Sequence, residues 1–170
     1  MSLKVKSAES CKFDLVSLGE SMIRLSPPGH GRIEFAPALE VWVGGGEYNV
    51  AYALSRLGLR TGWIGGLNSS PMGAIIRNHA RAVGMDVSYA VERKYDGVGK
   101  KDRIGLNFTE VGVAKRGSVT LYDRGHTATR VRRARTQSRH IVGRDLVALA
   151  EPMNHACYGW GHRDPPRLKR

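Results

Sequence analysis

Residues 41–58 read VWVGGGEYNVAYALSRLG, a strand-like run, three consecutive glycines and a helix-like run. How those glycines are used decides the fold, and two readings stand from the residues alone. Glycine lets a strand and a helix pack closely through a tight turn. It also leaves backbone N–H groups uncovered ahead of a helix N-terminus, where oxygen-rich ligands are favoured. Asn49, inside the first helical turn, would add a donor and an acceptor on the same side. A hydroxylated sugar would suit such a patch. Downstream, Val50, Ala53, Leu54 and Leu57 recur at helical spacing and predict the buried face of a helix over 47–57. Glu47 suits the positive end of the helix dipole, and Gly58 marks the stop.

Upstream, FDLVSLGESMIRLS (13–26) holds two short apolar runs, 13–18 and 22–26, broken at Gly19-Glu20, and both predict strands. SPPGHG (26–31) is a turn by composition. RIEFAPALEVWV (32–43) reads as an edge or interrupted strand because Pro37 lacks an N–H for a ladder. Beyond the helix, RTGWIGGL (60–67) predicts a buried strand. Ser70-Pro71 predicts a capped helix start, with Met72, Ile75, Ile76, His79 and Val83 as its inner stripe and Gly84 as its end. Residues 86–93, 103–111 and 118–124 are further strand candidates. Strands alternating with helices, followed by more strands, predict an α/β unit carrying a small extra sheet.

Charge divides the chain unevenly. The total is 27 Lys and Arg against 15 acids, a formal charge of +12. Residues 1–126 hold 17 basic and 12 acidic residues, while 127–170 hold 10 and 3. The basic segment has one short apolar stretch, 146–150, and otherwise Arg, His, Pro and Gly without period. Its Arg cluster (Arg130, Arg132, Arg133, Arg135, Arg139) is an electrostatic footprint for phosphate backbones. It lacks the interleaved aromatics on which single-strand binders stack bases, so a disordered polycation is the favoured reading and nucleic acid is not the expected partner. His155, Cys157 and His162 have no matching pair elsewhere, so no metal site is expected. No apolar run is long enough to span a bilayer. The N-terminus lacks a secretory pattern and only Cys11 and Cys157 occur, so the cytoplasm is the expected location.

Phosphate loops fail on inspection. GGGEYN has Asn49 where a dinucleotide fingerprint needs its third glycine. DGVGKKD (96–102) has Lys101 where a P-loop needs Ser or Thr for magnesium. In YDRGHTA (122–128), Tyr122 and Arg124 stand two apart and would share one strand face. A guanidinium fork beside a phenol could grip a carboxylate; a solvated strand face is the bland alternative.

Taken together, FDLVSLGESMIRL, VGGGEYNVAYALSRLGLRTGWIGGL, PMGAIIRNHARAVGMDVS and YDRGHTA resemble the pfkB (ribokinase-like) carbohydrate kinases over residues 12–128. Within that family they are most similar to the 2-keto-3-deoxygluconate kinases. The resemblance implies the N-terminal part of a Rossmann-like ribokinase fold with a small β-sheet lid drawn from strands near 20–43 and 103–124. A leader (1–11) precedes it and an aberrant basic tail (129–170) follows. The resemblance also implies sugar contacts at Gly44, Gly45 and Asn49, lid contacts to a keto-acid sugar at Tyr122, Arg124 and Asn107, and a pocket-shaping role for Glu20. Full-length members use ATP and Mg2+. They run to nearly twice this length, and their second half carries the nucleotide site and a Gly-Ala-Gly-Asp motif that supplies the anion hole and the aspartate base. That motif does not occur in 1–170. Ser69-Ser70 also stands where acidic residues are usual. The expectation is therefore a truncated sugar kinase that binds a sugar or sugar acid, binds no nucleotide and has no kinase activity alone. Pairing of two copies through the lid strands is a further expectation. The switch of composition after Ala128 is read as an out-of-frame or otherwise aberrant end to a kinase gene. Translating the encoding DNA in its other frames tests that, and no kinase-like continuation in any frame would refute it.

Overall fold

A computed structural model describes residues 8–129. The basic tail beyond it, with its Arg cluster and the His155, Cys157 and His162 group, lies outside the described residues. Short 3-10 turns occur at Ala8–Ser10, Pro28–His30 and Ile33–Phe35. The regular elements are β1 (Leu15–Leu18), β2 (Met22–Ser26), β3 (Glu40–Gly44), α1 (Gly46–Arg56), β4 (Thr61–Ile64), β5 (Gly66–Asn68), α2 (Pro71–Arg81), β6 (Val91–Arg93), β7 (Gly105–Glu110) and β8 (Val119–Asp123). The fold is mixed α/β, as the alternation of patterns predicts. No helix among the described residues is long and apolar enough to cross a membrane.

Two groups of strands divide the work. β1 pairs in parallel with β4, and β5 in parallel with β6. β2, β3, β7 and β8 form a separate four-stranded sheet in the order β3-β2-β7-β8. The run 60–67, expected as one strand, breaks at Gly65, where a Cβ would overlap the Trp63 ring and the Gly19 carbonyl. Strand 86–93 shrinks to β6, leaving only a bridge between Gly62 and Asp86 at its start. The interrupted strand 32–43 resolves into a 3-10 turn and β3, which starts three residues past Pro37.

The helical faces need correction. In α1 the buried residues are Tyr48, Ala51 and Ser55, whereas Val50 is 53% and Leu57 78% exposed. Both sets follow helical spacing, so periodicity alone could not choose between them. The polar groups of the inner set each find a partner. Ser55 Oγ lies 2.5 Å from Thr61 Oγ1, which in turn donates to the Ala51 carbonyl at 3.1 Å. In α2, Ile76, Gly73 and Ala80 are buried while Met72 and Ile75 are exposed. Ser70 caps the helix as expected, accepting from the Gly73 N–H.

Tyr48 sits at the centre of the core. It is fully buried, meets Trp63 edge-on at 5.4 Å between ring centroids, and places its hydroxyl 2.9 Å from His79 Nδ1 and 3.3 Å from the Ile76 carbonyl. Tyr52 also stacks on His79, at 4.2 Å between ring centroids. Burial holds the His79 imidazole below its ordinary pKa and pushes the Tyr48 phenol up. The folded chain therefore prefers neutral His79. This contribution is complete above the unfolded histidine pKa, about 6.5, and is lost as pH falls below it. Urea midpoints should drop between pH 7.5 and pH 5, and His79→Gln should flatten that slope. An unchanged slope in the variant would contradict the assignment.

Candidate functional site

The glycine turn between β3 and α1 meets the end of β1 at close range. A Cβ on Gly45 would overlap the Glu20 carbonyl, and one on Gly19 would meet the Glu47 carboxylate. Gly45 is therefore required for packing. Around Gly44 and Gly46, by contrast, a Cβ would find nothing within 4 Å. The run thus splits between the two sequence-based readings: one glycine for close approach, its neighbours facing open space. Asn49 is exposed one turn into α1, with no side-chain hydrogen bond among the described residues.

The lid sheet delivers the remaining residues. Register places Trp42, Arg24, Asn107 and Tyr122 in one row across β3, β2, β7 and β8. Opposed residues of a ladder share a face, and side chains alternate along each strand. The row beyond it, toward β1, begins with Gly44, Met22 and Gly105. Arg124 follows the end of β8 and reaches Glu20: its Nη2 lies 2.5 Å and its Nε 2.7 Å from Glu20 Oε2. The Glu20 side chain is only 10% exposed, and its other oxygen, Oε1, is buried without a hydrogen-bond partner. The space a Cβ would fill at Gly105 is bounded by that oxygen. The Arg124 guanidinium also lies 5.8 Å from the Tyr122 ring centre. Asn107 Oδ1 accepts from Thr109 Oγ1 at 2.7 Å, and its amide nitrogen has no hydrogen-bond partner among the described residues.

Glu20, Gly44, Gly45 and Arg124 thus converge where β1, the glycine turn and the lid meet. Asn107 and Tyr122 lie side by side farther out on the sheet. Arg24 and Trp42 join that row and were not singled out from the sequence. The available signal was parity: Glu20, Met22 and Arg24 alternate, and a strand starting at Met22 puts them on one side.

After Arg124 the chain turns back and is tied down. The Arg103 guanidinium pairs with Asp123 and donates to the Gly125 carbonyl at 2.7 Å. The Gly66 N–H donates to Thr129 Oγ1 at 3.0 Å. These contacts fix the end of β8, and with it Arg124, against the body of the fold.

The donor set suits hydroxyl groups better than phosphates. The α1 N-terminus is the glycine-flanked helix start, but the Glu47 carboxylate lies in its first turn, against Gly19, and would repel a phosphate there. In the 96–102 loop, Asp96 accepts the N–H groups of Val98, Gly99, Lys100 and Lys101, so those donors are already taken. Among the described residues no group of three His, Cys, Asp or Glu side chains could hold a metal. An open groove lined by Leu67, Arg77, Arg81, Met85 and Glu92 shares no residue with the glycine turn or the lid.

Residues 12–142 match the family model of pfkB family carbohydrate kinases, and the chain belongs to that family. It is 39% identical over 115 residues to the 2-dehydro-3-deoxygalactonokinase of Haloferax volcanii, covering 68% of this chain and 34% of the relative. The 5-dehydro-2-deoxygluconokinase of Bacillus licheniformis is 32% identical over 121 residues, covering 71% and 36%. The crystal structure of 2-dehydro-3-deoxygluconokinase from Thermotoga maritima superimposes with a TM-score of 0.64 at 36% identity, covering 69% of this chain and 34% of that one. The chain spans about a third of the length of these relatives.

Proposed function

We propose that the chain binds an acidic sugar of the 2-keto-3-deoxygluconate type between the glycine turn and the lid, and that the 170-residue chain alone transfers no phosphoryl group. The observation that carries this reading is the Glu20–Arg124 pair, which joins the lid to the end of β1 directly beside Gly45. Arg124 uses Nε and Nη2 toward Glu20 and keeps further donors for a ligand carboxylate. Tyr122 lies beside it and donates a phenolic hydrogen. Glu20 Oε1 accepts a sugar hydroxyl, Asn49 and the Gly44 and Gly45 backbone contact other hydroxyls, and Asn107 offers its amide nitrogen. The relatives are named as kinases of closely related deoxy-keto sugar acids, which supports this ligand class.

Family members transfer the phosphoryl group of ATP with Mg2+ assistance, chemistry that needs positioning, charge stabilisation and a base. Residues 1–170 contain no Gly-Ala-Gly-Asp run to supply the last two. Calorimetric titration of the purified chain should show binding of 2-keto-3-deoxygluconate, weakened at least tenfold by Arg124→Met. Incubation with ATP and Mg2+ should give no phosphorylated sugar. Absence of binding refutes the first part, and product above a tag-only control refutes the second.

A second copy of the chain is the proposed partner. The lid face opposite the Arg24 row exposes Val41, Val119 and Leu121, an apolar patch that a second lid would cover. Sedimentation should show a dimer that Leu121→Asp dissociates; a monomer at all concentrations would contradict this.

A further inference from the structure

We propose that Arg24 is a further ligand-binding residue of this site, supplying the second positive charge that a sugar acid needs there. The inference rests on the sugar-acid reading above and assigns a residue that neither the motifs nor the family resemblance pointed to. Arg24 lies on β2 between Trp42 and Asn107 in register, in the same row as Tyr122. It therefore shares the lid face that holds Gly44 and Gly105, where the Glu20 Oε1 atom lies. Its Nε is buried and has no hydrogen-bond partner, and its guanidinium makes no ion pair among the described residues. Buried donors are nearly always satisfied, so an orphan on a ligand-facing row points to an acceptor that arrives with a ligand.

Charge counting points the same way. Arg124 is already engaged by Glu20, so that pair together presents no net charge to an incoming carboxylate. A sugar acid docking at Arg124 brings a second anion beside Glu20, and like charges at that range repel. One further cation on the same face restores the balance, and Arg24 is the unpaired guanidinium in the row. Trp42 and Tyr122 close that row at either end and give it flat, half-wet walls. The class of ligand is thus a sugar bearing a carboxylate, with Arg24 and Arg124 reading the anion and Glu20 reading a hydroxyl.

The experiment compares two ligands on the full 170-residue chain by calorimetry. One is 2-keto-3-deoxygluconate; the other is 3-deoxyfructose, which carries a hydroxymethyl group in place of the carboxylate. Arg24→Met should raise Kd for the acid at least tenfold and leave Kd for the neutral sugar within twofold. Arg24→Lys should recover part of the loss. Urea midpoints of both variants show whether the lid still folds, and Arg24→Lys keeps the comparison open if the methionine variant does not. Unchanged acid binding in Arg24→Met overturns the inference while leaving the sugar-acid reading intact. Equal loss of both ligands with no recovery by lysine also overturns it, in favour of a packing role. A wild-type chain that binds neither sugar removes the sugar-acid reading itself, and this inference with it.

Discussion

Replacing Tyr48 with alanine is expected to cost about 3–5 kcal/mol of stability, the range for deleting a large buried aromatic side chain. The ring is fully buried and touches Trp63, Tyr52 and His79, so its removal opens a cavity where α1, α2 and β4 meet. Domains of this size are stable by only about 5–15 kcal/mol, so the variant should be largely unfolded in mild urea. Tyr48→Phe separates packing from hydrogen bonding. It keeps the ring and removes the hydroxyl that faces His79 and the Ile76 carbonyl, and should cost about 1–2 kcal/mol. Urea titrations followed by tryptophan fluorescence give both numbers. Equal losses from the two substitutions would show that the ring contributes little, contrary to its position.

The second large effect falls on the glycine turn. Gly45→Ala should cost about 1–3 kcal/mol, because its Cβ must displace the Glu20 backbone rather than a flexible side chain. Since Glu20 carries the pair with Arg124, the same substitution should also weaken sugar-acid binding at least tenfold. Gly44→Ala makes the complementary case. Its Cβ meets nothing within 4 Å, so stability should be unchanged. If the sugar lies against that backbone, the added methyl still lowers affinity. Parallel urea and calorimetric titrations of the two variants thus divide packing from ligand contact. Stability loss at Gly44 with none at Gly45 would invert the assignment.

Much of the fold was legible because its punctuation is chemical. Gly58, Ser70-Pro71 and Gly84 stop or start α1 and α2 for reasons of backbone conformation and capping, and both helices lie where those residues put them. β2 matched its expected span for a similar reason, lying between Gly19-Glu20 and the SPPGHG turn. The inner faces of the helices were less legible. Tyr48 and Ser55 are polar by composition, but Thr61, past the end of the helix, satisfies Ser55, and His79, distant in sequence, satisfies Tyr48. No local window contains the Tyr48–His79 contact. Strand lengths suffered likewise, since the break at Gly65 depends on Trp63 and Gly19 occupying the space beside it.

The candidate site was legible as a list of residues, not as a geometry. Gly44, Gly45, Glu20 and Arg124 are brought together, yet nothing in their spacing announced that Glu20 and Arg124 would pair. They are far apart in the chain and meet because Arg103 and Thr129 tie the end of β8 back to the body. Parity along β2 could have put Arg24 on the site face, but only register placed it beside Asn107.

Amide-shift mapping of the 15N-labelled chain during titration with 2-keto-3-deoxygluconate tests the central claim most directly. The account predicts saturable shifts concentrated at Gly44, Gly45, Asn49, Asn107 and residues 122–124, with the amides of α2 unmoved. Shifts centred on the groove around Arg77 and Glu92, or none at millimolar sugar, would contradict it.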